Sequence, residues 1–290
     1  MSRDPARRRF LKVLGVGAVA ASAGCAGVSV EKLLQRHYRE LTDDDKKRIF
    51  ARIEEETRAK TGVRVKVGDP PPIEAVQFAF ALDLSACNGN RRCVEACARE
   101  NNLPDGIRYI QVLELTKGSF DLEHADLYYD RPKVPAKDKF YLPVQCQQCA
   151  DPPCVRACPV EATWKEPDGL TVVDYDWCIG CRFCMTACPY FARHFNWTEP
   201  SVRPEAINPD QAYLSNRIRP RGVVEKCTYC LQRTRNGRFP ACLEVCPTGA
   251  RQFGNLSDPD SNIRRIIASK RVYILKEDLG TVPRFYYYFG

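Results

Sequence analysis

Cysteines two and three residues apart are the side chains of this chain whose type and spacing could do chemistry. Fifteen of its sixteen cysteines fall into four groups: Cys87, Cys93, Cys97; Cys146, Cys149, Cys154, Cys158; Cys178, Cys181, Cys184, Cys188; and Cys227, Cys230, Cys242, Cys246. In a C-x2-C-x2-C loop the backbone curls so that three thiolates reach three corners of an iron-sulfur cube, and a fourth cysteine, three residues on and followed by proline, turns toward a neighbouring cube. The third group has the whole pattern, ending in Cys188-Pro189. The second and fourth stretch the gap before the third cysteine to four and eleven residues but keep the outer spacing.

The first group lacks one cysteine, and an internal repeat locates the gap. Cys87-Asn88-Gly89-Asn90-Arg91-Arg92-Cys93 runs parallel to Cys178-Ile179-Gly180-Cys181-Arg182-Phe183-Cys184. Asn90 therefore falls on the slot of Cys181, with glycine before it and arginine after it in both copies. A second repeat aligns Cys154-Val155-Arg156-Ala157-Cys158-Pro159 with Cys242-Leu243-Glu244-Val245-Cys246-Pro247. A neutral amide is a far poorer iron ligand than a thiolate, so the favoured outcome at Asn90 is a three-iron cluster lacking that corner. The alternative is a four-iron cluster completed by asparagine or water.

Other uses of the cysteines fit less well. Disulfide frameworks do not repeat C-x2-C four times with C-x3-C-P after it. Structural zinc would use the C-x2-C pairs and leave the remaining cysteines of each group without a role. With only His37, His124 and His194 present and no C-x2-C-H, haem attachment has no support. No nucleophile-base arrangement, phosphate loop or open metal site stands out, which argues against substrate chemistry. Trp164, Trp177, Phe183, Met185, Tyr190 and Phe191 are expected to exclude water around the clusters. Arg182, Arg193, Arg233, Arg235 and Arg238 are candidates to offset cluster charge or meet a partner.

Short elements must hold these loops. Leu33, Leu34, His37, Tyr38 and Leu41 recur at helical spacing, and Thr42 with Asp45 forms a capping box that opens a second helix through about Lys60. Ile49, Phe50 and Ile53 give that helix an apolar stripe, and Glu54 with Arg58 and Glu56 with Lys60 are expected as pairs on its wet face. This region is expected to pack on the core, with a docking arm for a partner as the sharper alternative. Val63 to Val67, Gln77 to Leu84 and Ile107 to Leu115 are strand candidates, and Pro70-Pro71-Pro72 is a stiff linker between the first two. From Lys117 to Lys139 the chain is polar and loop-like.

The N-terminus carries an address. Arg7-Arg8-Arg9-Phe10-Leu11-Lys12 matches the twin-arginine export pattern, and the apolar run from Val13 to Ala23 is too short to span a membrane. Export of already folded protein suits a cofactor inserted in a reducing compartment. Cleavage after Ala21-Ser22-Ala23 is favoured over a lipid anchor at Cys25, because Ser22 replaces the large aliphatic residue of a lipoprotein box. Half of the formal charge of +8 lies in this signal. Oxidised thiolate-bound clusters are anionic, so nucleic acid is not an expected partner.

From Gln77 onward the chain resembles the four-cluster iron-sulfur subunit of the dimethyl-sulfoxide reductase family. The resemblance rests on the order and spacing of the groups together with Pro152-Pro153-Cys154, Trp164-Lys165-Glu166-Pro167-Asp168-Gly169, the Cys178–Cys184 loop and Cys246-Pro247-Thr248-Gly249-Ala250. That family includes the electron-transfer subunits of tetrathionate, polysulfide and nitrate reductases and of exported hydrogenases. Position by position, the resemblance implies a first cluster on Cys87, Cys93, Cys246 and the Asn90 slot, and a second on Cys97, Cys227, Cys230 and Cys242. It implies a third on Cys146, Cys149, Cys154 and Cys188, and a fourth on Cys158, Cys178, Cys181 and Cys184.

The expected fold is α+β, with two bacterial-ferredoxin-like modules, one inserted in the other, and an N-terminal helical extension. Residues 1–24 form the signal and 25–74 the extension and linker. Residues 75–135 with 201–290 form the outer module, and 136–200 the inserted one. The expected cofactors are three [4Fe-4S] clusters and one modified [3Fe-4S] cluster. The expected role is to relay single electrons, without catalysis, at the periplasmic side of a membrane. The partners would be a membrane quinone-binding subunit of the polysulfide-reductase type and a catalytic molybdopterin or hydrogenase subunit. A menaquinol-linked complex with multihaem cytochromes is the alternative, and a structural metal-bound docking module a remote one. No transmembrane segment is expected in the chain itself.

Overall fold

A computed structural model describes residues 41–130 and 133–290. The expected export signal, Cys25 and the helix expected around Leu33 to Tyr38 lie outside these residues. In chain order the first elements are α1 (Asp43–Thr61), β1 (Lys66–Gly68), β2 (Phe78–Asp83), α2 (Arg92–Glu100), β3 (Gln111–Thr116) and β4 (Lys139–Val144). There follow α3 (Pro153–Arg156), β5 (Thr163–Lys165), β6 (Thr171–Val173), α4 (Phe183–Thr186), β7 (Arg193–Phe195), β8 (Asp210–Ala212) and β9 (Val224–Lys226). The last are α5 (Leu231–Thr234), α6 (Ala241–Glu244), β10 (Arg251–Asn255), α7 (Asn262–Ser269), β11 (Val272–Tyr273) and β12 (Phe285–Tyr288). Mixed short helices and small sheets of this kind suit ferredoxin-like iron-sulfur domains.

Internal contacts divide the chain into residues 1–49 and residues 50–290. In the first unit the capping box expected at the start of α1 is present in both directions. The backbone N–H of Thr42 donates to Asp45 Oδ2 at 3.1 Å, and the N–H of Asp45 donates to Thr42 Oγ1 at 3.2 Å. The ion pairs expected further along α1 are not the ones formed. Arg58 pairs with Glu55 rather than Glu54, and Lys60 reaches Glu199 rather than Glu56. Glu54 instead accepts the backbone N–H of Val67 at 2.8 Å, and Arg52 reaches Asp176 at 2.7 Å. For Glu54 and Lys60 tertiary partners displace the expected i,i+4 pairs, which contribute only about 0.3–0.5 kcal/mol each, while Glu56 pairs with Arg52 instead. From Phe50 onward the helix belongs to the second unit, and there Ile53 and Thr57 are buried.

The main sheet joins distant parts of the sequence in the order β10-β2-β12-β11. Phe80 stands opposite Phe253 in the antiparallel pair and opposite Phe285 in the parallel one. Five of the six residues of β2 are buried, because this strand is central and covered on both faces. Phe80 anchors the core, its ring 5.0 Å from Phe253, 5.5 Å from Phe285 and 4.9 Å from Tyr229. The other strands form two-stranded sheets: β1 with β8, β3 with β4, β5 with β6, and β7 with β9. The first strand candidate is realised only at its end, as β1, and the third begins at Gln111 rather than Ile107.

Candidate metal centres

Repeated backbone turns place the cysteines. Gly89 and Gly180 have φ of 74° and 73°, and the arginines two residues on, Arg91 and Arg182, have φ of 60° and 67°. Asn90 thus occupies the same conformational slot as Cys181. Each of these arginines caps a helix, α2 or α4, whose first turns carry Cys93 and Cys184. A Cβ on Gly180 would lie 2.2 Å from the carbonyl oxygen of Gly222, and one on Gly89 would lie 2.4 Å from the Tyr141 ring, so both loops need glycine for close approach as well as for sign of φ. A second turn recurs after each cysteine-proline pair. Glu161, Phe191 and Gly249 take φ of 53°, 51° and 65°, and each leads into a strand, β5, β7 or β10.

These turns bring the fifteen thiols into four sets. Cys87 feels the charges of Cys93 and Cys246. Cys97 feels those of Cys227, Cys230 and Cys242. Cys149 lies among Cys146, Cys154 and Cys188. Cys178 lies beside Cys158 and Cys181, and Cys184 beside Cys178. Each set mixes cysteines from two of the sequence groups. The first set and Asn90 line one small pocket, and the third set lines another.

Neighbouring sets also interact, and the strongest interactions fall in one order. Cys93 of the first acts on Cys242 of the second, Cys146 of the third acts on Cys227 of the second, and Cys154 of the third acts on Cys184 of the fourth. Burial follows the same line. All four thiols of the second set are buried and three of the third, whereas Cys87, Cys93 and Cys246 at one end and Cys158, Cys178 and Cys181 at the other are only partly buried; Cys184 alone of the end sets is buried.

The chemistry of the sets fits thiolate-bound iron-sulfur clusters. All fifteen described cysteines are free of disulfides. No three His, Cys, Asp or Glu among the described residues converge closely enough for a single metal ion. Thiolates disposed around a multi-iron cube need not converge that tightly. Burial pushes the Cys87, Cys184 and Cys242 thiols up to about 11 and those of Cys149 and Cys230 up to about 12. Metal binding must therefore displace protons from them. Cys246 departs from this. Burial raises its thiol too, but the Thr248 hydroxyl and the backbone amides of Arg251, Thr248 and Ala250 hold it below its ordinary value.

Two buried arginines point the same way. Arg193 donates through Nη2 to Cys154 Sγ at 3.1 Å, and Arg251 through Nη1 to Cys242 Sγ at 3.7 Å. Nε and Nη1 of Arg193 and Nη2 of Arg251 have no hydrogen-bond acceptor in the protein. Buried N–H groups are almost always satisfied, so these atoms call for an anionic acceptor beside the thiols. Sulfur of a cluster held there supplies one.

Of the other candidate arginines, Arg233 bonds Glu100 and Glu244, and Arg235 bonds Asp168 and Glu166. Neither pairs with a cysteine set. Arg182 and Arg238 lie toward solvent, the former over the Trp197 ring at 4.7 Å. Three of the expected water-excluding side chains face solvent instead: Trp177 is 42% exposed, Phe183 60% and Phe191 72%. Shielding comes from residues brought in by distant strands, among them Val224 against Cys154 and Cys184. Arg251 and Gln145 were not among the sequence candidates. Cys188-Pro189-Tyr190-Phe191-Ala192-Arg193 and Cys246-Pro247-Thr248-Gly249-Ala250-Arg251 share a pattern that marks the arginine in both.

Comparison with known proteins agrees with this chemistry. A family described as "4Fe-4S dicluster domain" matches residues 137–204 and 213–256. The chain is 34% identical to a selenate reductase subunit of Mesobacillus selenatarsenatis, over 99% of this chain and 98% of that protein. It is 42% identical to a putative dimethyl sulfoxide reductase iron-sulfur subunit of Halobacterium salinarum, over 73% of this chain and 79% of that one. It is 37% identical to an Hdr-like menaquinol oxidoreductase iron-sulfur subunit of Archaeoglobus fulgidus, over 74% and 84%.

Proposed function

We propose a four-centre relay from one premise: the chain belongs to the iron-sulfur subunits of the dimethyl-sulfoxide reductase family, and it is a non-catalytic electron-transfer subunit. In this reading the four thiol sets are the ligands of four clusters in the order given by their contacts. The first is on Cys87, Cys93 and Cys246 with the Asn90 slot, and the second on Cys97, Cys227, Cys230 and Cys242. The third is on Cys146, Cys149, Cys154 and Cys188, and the fourth on Cys158, Cys178, Cys181 and Cys184. Iron-sulfur clusters supply one-electron centres.

The observation that carries the reading is the coincidence of order and burial: a linear run of thiol sets, most buried in the middle and, Cys184 apart, only partly buried at both ends. Such a line suits entry at one end and exit at the other, with water kept from the central pair. The pairing of β2 with β10 and β12 supports an outer module, residues 75–135 with 201–290, around an inserted module of residues 136–200. Three [4Fe-4S] clusters and a [3Fe-4S] cluster at Asn90 complete the assignment.

The partners are a membrane quinone-binding subunit at one end and a catalytic molybdopterin or hydrogenase subunit at the other, on the periplasmic side after twin-arginine export. No helix among the described residues is long and apolar enough to cross a membrane, so attachment would be through the partner. A second reading is service in a menaquinol-linked complex with multihaem cytochromes, and the Archaeoglobus relative's name favours its menaquinol part. Isolation of the native complex followed by a redox titration monitored by electron paramagnetic resonance tests both. Four reversible centres with a molybdopterin or hydrogenase subunit support the first reading, and a co-purifying cytochrome supports the second. Absence of reversible centres in iron-loaded protein would reject the relay.

A further inference from the structure

Arg193 and Arg251 occupy equivalent places in the two halves of the line. Each follows a cysteine-proline turn, Cys188-Pro189 or Cys246-Pro247, by the same number of residues and opens the next strand, β7 or β10. Arg193 is 4% exposed and Arg251 3%. The strongest charges acting on each are thiolates, and they come from two adjacent sets. For Arg193 these are Cys154 and Cys146 of the third and Cys184 of the fourth. For Arg251 they are Cys87, Cys93 and Cys246 of the first and Cys242 of the second.

The middle junction is built differently. Lys226 lies there, at the edge of the third set's pocket, but its Nζ is spent on the carbonyls of Thr171 and Cys227 and donates to no sulfur. The third copy of the turn, after Cys158-Pro159, carries Thr163 in place of an arginine, and its hydroxyl accepts from Arg193 Nη2 at 2.9 Å. One arginine thus serves each outer junction.

We propose that Arg251 and Arg193 are matched positioning residues, each a fixed cation shared by two neighbouring clusters, first with second and third with fourth, that makes reduction of both easier. The proposal rests on the cluster assignment above. Adding an electron makes a cluster more negative, and a nearby anionic cluster opposes this. A desolvated guanidinium between them favours the more negative state of each, and its spare N–H groups bond the sulfurs that gain the charge. Without it, reducing one member of a pair would hinder reducing the other.

The test is a potentiometric titration of the iron-loaded holoprotein, with iron content measured in parallel. Arg251→Gln should reduce the reduction equilibrium constant of the first and second clusters at least tenfold, about 59 mV for one electron, and leave the third and fourth in place. Arg193→Gln should do the reverse. Arg251→Lys, which keeps the charge, should recover most of the shift. Should Arg251→Gln fail to load iron, Gln145→Glu decides. Gln145 Oε1 accepts from Arg251 Nη1 at 2.8 Å, so a carboxylate there offsets the cation without removing it and should lower the same two potentials. Normal iron content with no selective shift, or an equal shift of all four clusters, overturns the proposal. Wild-type protein without reversible centres instead rejects the relay itself.

Discussion

Arg219 and Glu225 meet at 2.6 Å with both side chains fully withdrawn from solvent. Glu225 also accepts the Tyr109 hydroxyl at 2.6 Å and the Asn196 amide at 2.6 Å, while Arg219 donates to the carbonyls of Asn101 and Asn102. The pair joins the chain just after α2 to β9, the strand that leads into Cys227. Burial opposes the charge on Arg219, and Glu225, with lesser help from Tyr109 and Tyr175, more than restores it.

Glu225→Gln would leave the Arg219 guanidinium buried without its counter-charge. Breaking a buried pair from one side costs about 3–5 kcal/mol. Anaerobic denaturation of the holoprotein should show the loss, and Cys97, just before Asn101, and Cys227, just after Glu225, should be the first thiols to react with an alkylating agent. An unchanged midpoint would mean that water or a rearranged neighbour compensates.

Gly180→Ala attacks a single loop. The new Cβ would press on the carbonyl oxygen of Gly222, a backbone atom with no rotamer to yield, at a φ of 73° where a Cβ costs about 1–2 kcal/mol by itself. The expected result is loss of about one cluster's iron with the other signals kept, because Cys178, Cys181 and Cys184 all depend on this turn. Iron analysis with resonance spectra measures it. Full iron in a folded variant would show that the loop can shift.

The loops were legible in the sequence, and the packing between them was not. Two-residue cysteine gaps, the cysteine-proline turns and the match of Asn90 to Cys181 are local, and the positive φ at Gly89, Gly180, Arg91 and Arg182 repeats as the spacing demands. The capping box at Thr42 is likewise contained in four residues. By contrast, β12 pairs with β2 across more than two hundred residues, and its Phe285-Tyr286-Tyr287-Tyr288 run carries no local sign of its partner. The same limit applies to Arg219 with Glu225, and to Trp177, Phe183 and Phe191, whose aromatic character indicated burial that the neighbouring strands do not provide.

His194 gives the fold a response to acid. Its ring stacks on Tyr109 at 5.9 Å, and burial holds its pKa below the ordinary value of 6.5 despite the pull of Glu225. The folded state therefore binds fewer protons here than the unfolded chain, so stability falls as pH drops below about 6.5, by up to about 1.4 kcal/mol per pH unit. Asp174 and Glu166, whose carboxyls burial raises, act in the opposite sense at lower pH. Comparison of wild type with His194→Phe isolates the effect: unfolding midpoints between about pH 7.5 and 6 should decline in the wild type and decline less in the variant. Parallel slopes would assign the response elsewhere.

Asn90 faces the first set's pocket from the position where the repeat puts a fourth ligand, but its amide is engaged within its own loop. Oδ1 accepts the backbone N–H of Arg92, the first residue of α2, at 2.9 Å, and Nδ2 donates to Asn88. One lone pair of the oxygen that could approach iron is thus engaged, and a neutral amide is a poor iron ligand, which together favour a cluster without that corner. Oxidised wild-type protein should give a three-iron resonance signal. Asn90→Cys should abolish it and add about one iron atom per chain, because Gly89 and Arg91 already hold the turn that presents Cys181 in the other copy. The potential of this centre should fall as the fourth thiolate adds negative charge. A fully loaded wild type with no three-iron signal would sink the assignment and leave a four-iron cluster completed by the amide or by water.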